Sequence, residues 1–332
     1  MKIFSYVKKA GLKKIKLLAI PLYMSFKDEK DYISRSYLGG VFKIKKSFAR
    51  KKVYILGIQI FSKTDKLRVL ELNLKSHMNK KLQEYKVKQQ KMFSIVNLHQ
   101  KVFPQFKNKH AEDSLAIIGS GPSLNYFTPI ENIRYIALNR GISYDKVKYE
   151  YFFCVDGRDD IPEYLKQYSN YPCTKFYGQH FNFSPIAIEG RGSCHISDRL
   201  ARAHGAFRFY SNAHDAEWYY DIETAPLMDY GSVSFCALHF AFYSGAKKIY
   251  LVGCDCTRNG YFNNANQINW VLLDNALKGY KKVKTFRDIY YPETEIISVN
   301  PVGLRGLFKD VYTRDFVEAN EELKDLDIEY LD

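Results

Sequence analysis

The densest set of residues able to do chemistry is Gly119-Ser120-Gly121-Pro122-Ser123, which follows the apolar run LAII. Two glycines around a serine allow positive φ, a tight turn and the approach of an anionic group to the main chain. The amides of such a turn, with the Ser123 hydroxyl, form a nest suited to a phosphate or a ribose. Pro122 supplies no N–H, and Leu124 stands where a dinucleotide loop carries its third glycine. The G-x-x-x-x-G-K-[ST] pattern of a triphosphate loop is absent too. A nucleotide held in some other way, or a purely structural turn, is left.

Asp156 closes the run YEYFFCVD and Asp255 closes IYLVGCD. A carboxylate in that position holds a ribose hydroxyl, binds a metal ion, takes a substrate proton or caps a turn. Asn139 and Arg140 follow RYIAL, and Tyr261 lies shortly after Asp255. Gly231 and Ser232 head the apolar segment SVSFCALHFAFYSGA, where a helix start leaves amides open to an anion. His239 sits inside that segment and reads as a core residue. His180, His195, His204 and His214 fall in a loop-rich stretch, 178–225, able to form a lid. The six cysteines show no C-x-x-C pair, and Cys254 and Cys256 lack further ligands nearby. Reduced thiols in a cytosolic setting, and no metal site, are expected.

These residues need strands to hold them. LAIIG, RYIALN (134–139), YEYFFCVD (149–156), TKFYG (174–178), KKIYLVGCD (247–255) and EIISVNP (295–301) read as apolar strands, and 232–246 as a helix. Apolar strands alternating with helices predict an α/β, Rossmann-like, doubly wound and mostly parallel sheet. Ligands bind beyond the carboxyl ends of such strands, which is where the candidate residues gather.

The front of the chain is different. Residues 1–110 carry 27 Lys/Arg against 6 Asp/Glu, whereas the remainder carries 23 against 30. Lysines alternate with apolar residues over 1–30, with loose helical spacing broken by Pro21. Residues 51–66 read as a short hairpin or a bent strand, and 67–103, free of Pro and Gly, as a long basic helix. FPQFKNKHAEDS (103–114) reads as a linker. Two parts are therefore expected: a basic, helical N-terminal extension, 1–110, and a nucleotide-binding transferase domain, 111–332. No stretch is long and apolar enough to span a bilayer. Basic residues interleaved with aromatic and aliphatic ones suit an anionic membrane surface. No nucleic-acid motif is present, and nucleic acid is not expected as a partner.

Taken together, AIIGSGPSLN, YIALNRGISY, YGSVSFCALHFAFYSGAKKIYLVGCD and NPVG resemble the bacterial sialyltransferases of glycosyltransferase family 42. They also resemble the related domain of motility-associated flagellin glycosylation factors and the archaeal 6-hydroxymethylpterin diphosphokinase-like family. The resemblance covers roughly residues 112–310. It implies that Gly119 to Ser123 hug the nucleotide, that Asn139 lies near the sugar-nucleotide, and that Gly231, Ser232 and Asp255 line the nucleotide side. Tyr261 matches an active-site tyrosine, and Asp156 stands where the pterin-kinase branch has Asp. The sialyltransferases use a histidine C-terminal to the Ile-Tyr-Leu strand, and this chain has none after His239. Asp156 or Asp255 is then the expected base, with Arg140, Arg258 or Arg305 offsetting negative charge.

The expectation is a glycosyltransferase without a required cofactor. Its donor is a nucleotide-sugar, CMP-linked favoured, and its acceptor a surface polysaccharide, lipopolysaccharide or other lipid-linked glycan. It would work in the cytoplasm, peripherally on the inner face of the membrane. The alternative is a Mg²⁺-dependent phospho- or pyrophospho-transferase, with Asp156 and Asp255 on the metal.

Overall fold

The computed structural model describes residues 66–155, 163–180, 196–213, 218–263 and 270–331, together with the backbone of seven strands between Phe4 and Thr64. The chain divides into two compact units, 1–86 and 87–332.

The first unit contains an antiparallel meander of β1 (Phe4–Lys9), β2 (Leu12–Leu17), β3 (Ile20–Lys27), β4 (Ile33–Tyr37), β5 (Phe42–Lys46), β6 (Arg50–Ile55) and β7 (Ile58–Thr64). The hairpin expected at 51–66 is the β6–β7 pair. The five strands before it correct the expectation of a mainly helical extension. Period-2 alternation, as in FKIKK, is a strand signal that the loose helical spacing masked. The expected basic helix follows as α1 (Lys66–Val102).

The unit boundary falls inside α1 and not near residue 110, because the end of this helix belongs to the second core. Ile95, His99, Val102 and Phe103 are buried there. The stretch expected to be a linker is also integral. Phe106 lies edge-on to Tyr151, Phe176, Phe207 and Phe240. His110 Nε2 is 2.7 Å from Tyr151 Oη.

The second unit is an α/β, Rossmann-like domain. Its strands are β8 (Ser114–Ile118), β9 (Arg134–Leu138), β10 (Tyr149–Cys154), β11 (Thr174–His180), β12 (Phe207–Ala213), β13 (Leu227–Asp229), β14 (Lys248–Val252), β15 (Glu295–Val299) and β16 (Lys309–Val311). They form one all-parallel sheet in the order β13-β12-β11-β10-β9-β8-β14-β15-β16. Sequence inspection missed β12, β13 and β16. It also missed helix α5 (Trp270–Tyr290). The segment expected to be a lid in fact carries β12 and α3 (Asp198–Ala203), while 181–195 and 214–217 lie outside the described residues.

Side chains alternate across the sheet, as the pleat requires. Leu115, Ile117, Ile136, Phe153, Phe176 and Phe209 face the end of α1, α5 and helix α4 (Ser234–Tyr243). Ala116, Ile118, Ala137, Phe152, Cys154 and Tyr177 face the opposite layer, which holds Leu124, Leu165 and Ala201. Helix α4 is buried on every side, which is why its sequence is apolar throughout. No described helix is long and apolar enough to cross a membrane.

Two buried histidines tie this layer to the far strands. His99 Nδ1 reaches the carbonyls of Ile222 and Ala225 at 2.7 and 3.0 Å, and its Nε2 accepts from Tyr210 N at 2.8 Å. His239 Nε2 is 2.6 Å from the Tyr219 carbonyl. Both rings are therefore core residues, as expected for His239. Burial lowers each of them from 6.5 to about 4. Between those values the unfolded chain binds two protons that the folded chain refuses, so stability rises with pH across this window. We expect full stability from these groups above pH 6.5, lost as pH falls toward 4, by at most about 3 kcal/mol for each. Urea unfolding at a series of pH values measures the loss, and replacement of either histidine by Gln flattens the slope.

Candidate functional site

Strand β8 leads into β9 on one side of the sheet, whereas its neighbour β14 leads into β15 on the other. The carboxyl ends of β8 and β14 therefore open the crevice that an open parallel sheet forms at its switch point. The run Gly119–Ser123 and the run Gly253–Cys256 are the two lips of that crevice.

The lips are sewn together by main-chain bonds. Gly119 N donates to Val252 O and Gly121 N to Gly253 O, both at 2.7 Å. Ser123 donates its N–H to Asp255 Oδ2 at 2.9 Å and its hydroxyl to Asp255 Oδ1. A β-carbon on Gly119 would strike the Gly253 carbonyl, and one on Gly121 would lie 2.7 Å from both carboxylate oxygens of Asp255. These glycines are needed for close approach, not for positive φ. Gly121 has φ −69° as it enters the 3-10 turn Pro122–Tyr126, and Gly253, at φ +63°, takes the left-handed conformation instead.

Most of the expected anion nest is thus spent internally. The amides of Gly119, Gly121 and Ser123 have protein partners and Pro122 has no N–H, which leaves Ser120 N as the open amide of the turn among the described residues. Asp255 is buried, and both its oxygens serve Ser123. Burial raises its pKa, and the Ser123 bonds oppose that rise. In this geometry its carboxylate holds the turn. The thiol beside it, Cys254, is pushed by burial up to about 12 and stays protonated.

A second arc closes over the crevice. Phe262 N donates to Ser120 O at 2.9 Å, and the Arg140 guanidinium stands 4.4 Å from the centre of the Tyr261 ring. Asn139, at φ +42°, accepts from Val155 N with Oδ1 at 3.3 Å, so it joins the ends of β9 and β10. Gly141 packs against the carbonyls of Ile118 and Gly119 at 2.6 and 2.7 Å, measured to the position of its absent β-carbon. The structure thereby gathers Gly119 to Ser123, Asn139, Arg140, Asp255 and Tyr261. Asp156 lies outside the described residues.

Gly231 and Ser232 sit at the start of α4. Gly231 has φ +84° and donates its N–H to Asp229 Oδ1 at 2.8 Å. The Ser232 and Ser234 hydroxyls are 2.8 Å apart, and Tyr280 Oη donates to Ser234 at 2.8 Å. Tyr280 also bonds the Cys254 thiol, which links the start of α4 to the switch-point lip. On the same rim, Asp229 and His180 were not singled out as a pair, and period-2 reading of β11 and β13 gives no signal that would pair them. No protein-family profile matches the chain, and no curated protein matches it in sequence.

Gly121→Ala is expected to push Asp255 away from Ser123 and to cost roughly 1–3 kcal/mol, an overpacking penalty. Ser123→Ala leaves a buried carboxylate oxygen without its donor and is expected to cost about as much. Chemical denaturation of both variants measures these losses. Unchanged stability in both would mean that the lips are not held in this way.

Proposed function

We propose that the chain is a glycosyltransferase that moves a sugar from a nucleotide donor, CMP-linked favoured, to a surface polysaccharide, lipopolysaccharide or lipid-linked acceptor. The observation that carries this reading is the switch-point crevice, with an open Ser120 amide in the turn after β8 and the Arg140–Tyr261 pair in the arc bonded to that turn through Phe262. A base or ribose stacks on an aromatic ring, and a guanidinium offsets the charge that develops on the departing phosphate. The resemblance of this strand–turn–helix set to the family 42 sialyltransferases supports the same reading.

The front of the chain supports a membrane-side acceptor. Leu70, Leu74, Met78 and Leu82 are exposed at four-residue spacing along α1, among lysines. A basic helix with an exposed apolar stripe binds anionic lipid through both terms, apolar burial and charge. The protein would then act peripherally on the inner face of the cytoplasmic membrane.

Binding of CMP is expected to raise the melting temperature without Mg²⁺, equivalent to about 2.7 kcal/mol at 100-fold excess over Kd. Arg140→Ala should remove most of that shift. A shift seen with ATP only when Mg²⁺ is present would instead support the pyrophosphoryl-transfer alternative. The protein should also co-sediment with phosphatidylserine vesicles and be released as salt rises toward 0.5 M, while neutral phosphatidylcholine vesicles leave it in solution. Equal binding to both vesicle types would remove the membrane-side part of the reading.

A further inference from the structure

A histidine–carboxylate pair stands on the same rim as the switch point. His180 ends β11, Ser211 lies on β12 and Asp229 ends β13, so the three carboxyl ends converge. His180 Nδ1 is 3.3 Å from Asp229 Oδ2 and 3.3 Å from Ser211 Oγ. Asp229 and Ser211 are buried, whereas the His180 side chain keeps 15% of its surface. The hydrogen bond of Nδ1 is with Ser211 Oγ, and the Asp229 carboxylate stands at ion-pair distance from the same nitrogen, so Nε2 is the ring nitrogen open to a substrate.

The other described imidazoles are engaged differently. His110 also faces a carboxylate, Asp113, but its Nε2 is closed by Tyr151. His99 and His239 spend both nitrogens on the main chain. His204 is held through Nδ1 by the Tyr177 hydroxyl and has no carboxylate against its ring. Among the described residues, His180 alone combines a carboxylate on Nδ1 with an Nε2 that has no partner. Asp229 is the charged group facing it among the described residues. Behind Asp229, on α4, the buried Cys236 thiol is pushed well above its ordinary range and stays neutral.

We propose that His180 is the general base of the transfer and that Asp229 positions it. The proposal rests on the transferase reading above. The acceptor hydroxyl oxygen forms a bond to the anomeric carbon as its proton passes to His180 Nε2. The bond from that carbon to the phosphate oxygen breaks, and its electron pair leaves with the nucleotide. Strand β11 stands three strands from β8, roughly 14 Å at ordinary strand spacing. A nucleotide seated at the switch point can therefore extend its sugar along the rim toward His180.

The test uses the full chain with a CMP-linked nonulosonic acid as donor, a lipid-linked glycan extract as acceptor, and CMP release as the readout. His180→Ala is expected to lower kcat by about 10²- to 10⁴-fold, the usual worth of a general base. KM for the donor and the CMP-induced melting shift should stay within about threefold of wild type, and added imidazole should restore part of the rate. Asp229→Asn removes the carboxylate that positions the ring, so kcat should fall by less than in His180→Ala while KM for the donor stays unchanged. A wild-type rate that survives His180→Ala within threefold overturns the base assignment and leaves the transferase reading standing. A wild type that turns over no donor overturns both. If His180→Ala does not fold, His180→Gln and the split between kcat and KM in Asp229→Asn decide the question by the same criteria.

Discussion

The bond set between Ser123 and Asp255 is the constraint on which the site depends. A buried carboxylate is costly unless donors meet its oxygens, and here one serine supplies both its amide and its hydroxyl. The turn after β8 cannot leave β14 without stranding that charge. Glycines at 119, 121 and 253 follow from this requirement, because a side chain at any of them would hold the lips apart or demand a strained backbone. The result is a crevice with rigid walls at the one place where the strand order reverses.

The core beneath the crevice is arranged so that one helix reaches many strands. Phe240 of α4 packs against Tyr151, Phe153 and Phe176, while Tyr280 of α5 bridges Ser234 and Cys254. His99 and His239 complete the layer by satisfying carbonyls and amides at 210–228. A neutral imidazole offers one donor and one acceptor, which matches main-chain groups that have no ladder partner. These contacts hold the short edge strand β13, and with it Asp229, against the rim.

Much of the sheet was legible because a strand buried on both faces leaves an uninterrupted apolar run. LAII, YIAL, EYFFC and IYLV are of that kind. Strand β12, FRFYSNA, was not, since polar residues on one of its faces break the run. Strand β13 has three residues and no periodicity to detect. The stretch 103–114 looked like a linker because Pro, Lys and Asn outnumber its two phenylalanines. What the composition could not display is that both rings lie in the core. Helix α1 was readable over its whole length, but the place where its second half enters another unit was not, because burial of Ile95 and Phe103 depends on residues far away in the chain.

From sequence alone came the parallel α/β class, the basic front, and the gathering of glycines and polar residues at strand ends. All three follow from local pattern: apolar run length, charge density and turn-forming residues. Tertiary structure decided what those residues do. It turned Gly119 and Gly121 from flexible joints into points of close approach, and Asp255 from an open carboxylate into a clamp on Ser123. It also brought His180, Ser211 and Asp229 within 3.3 Å contacts across three strands. Such contacts depend on strand order and register, and no local signal in a single chain encodes which strands become neighbours.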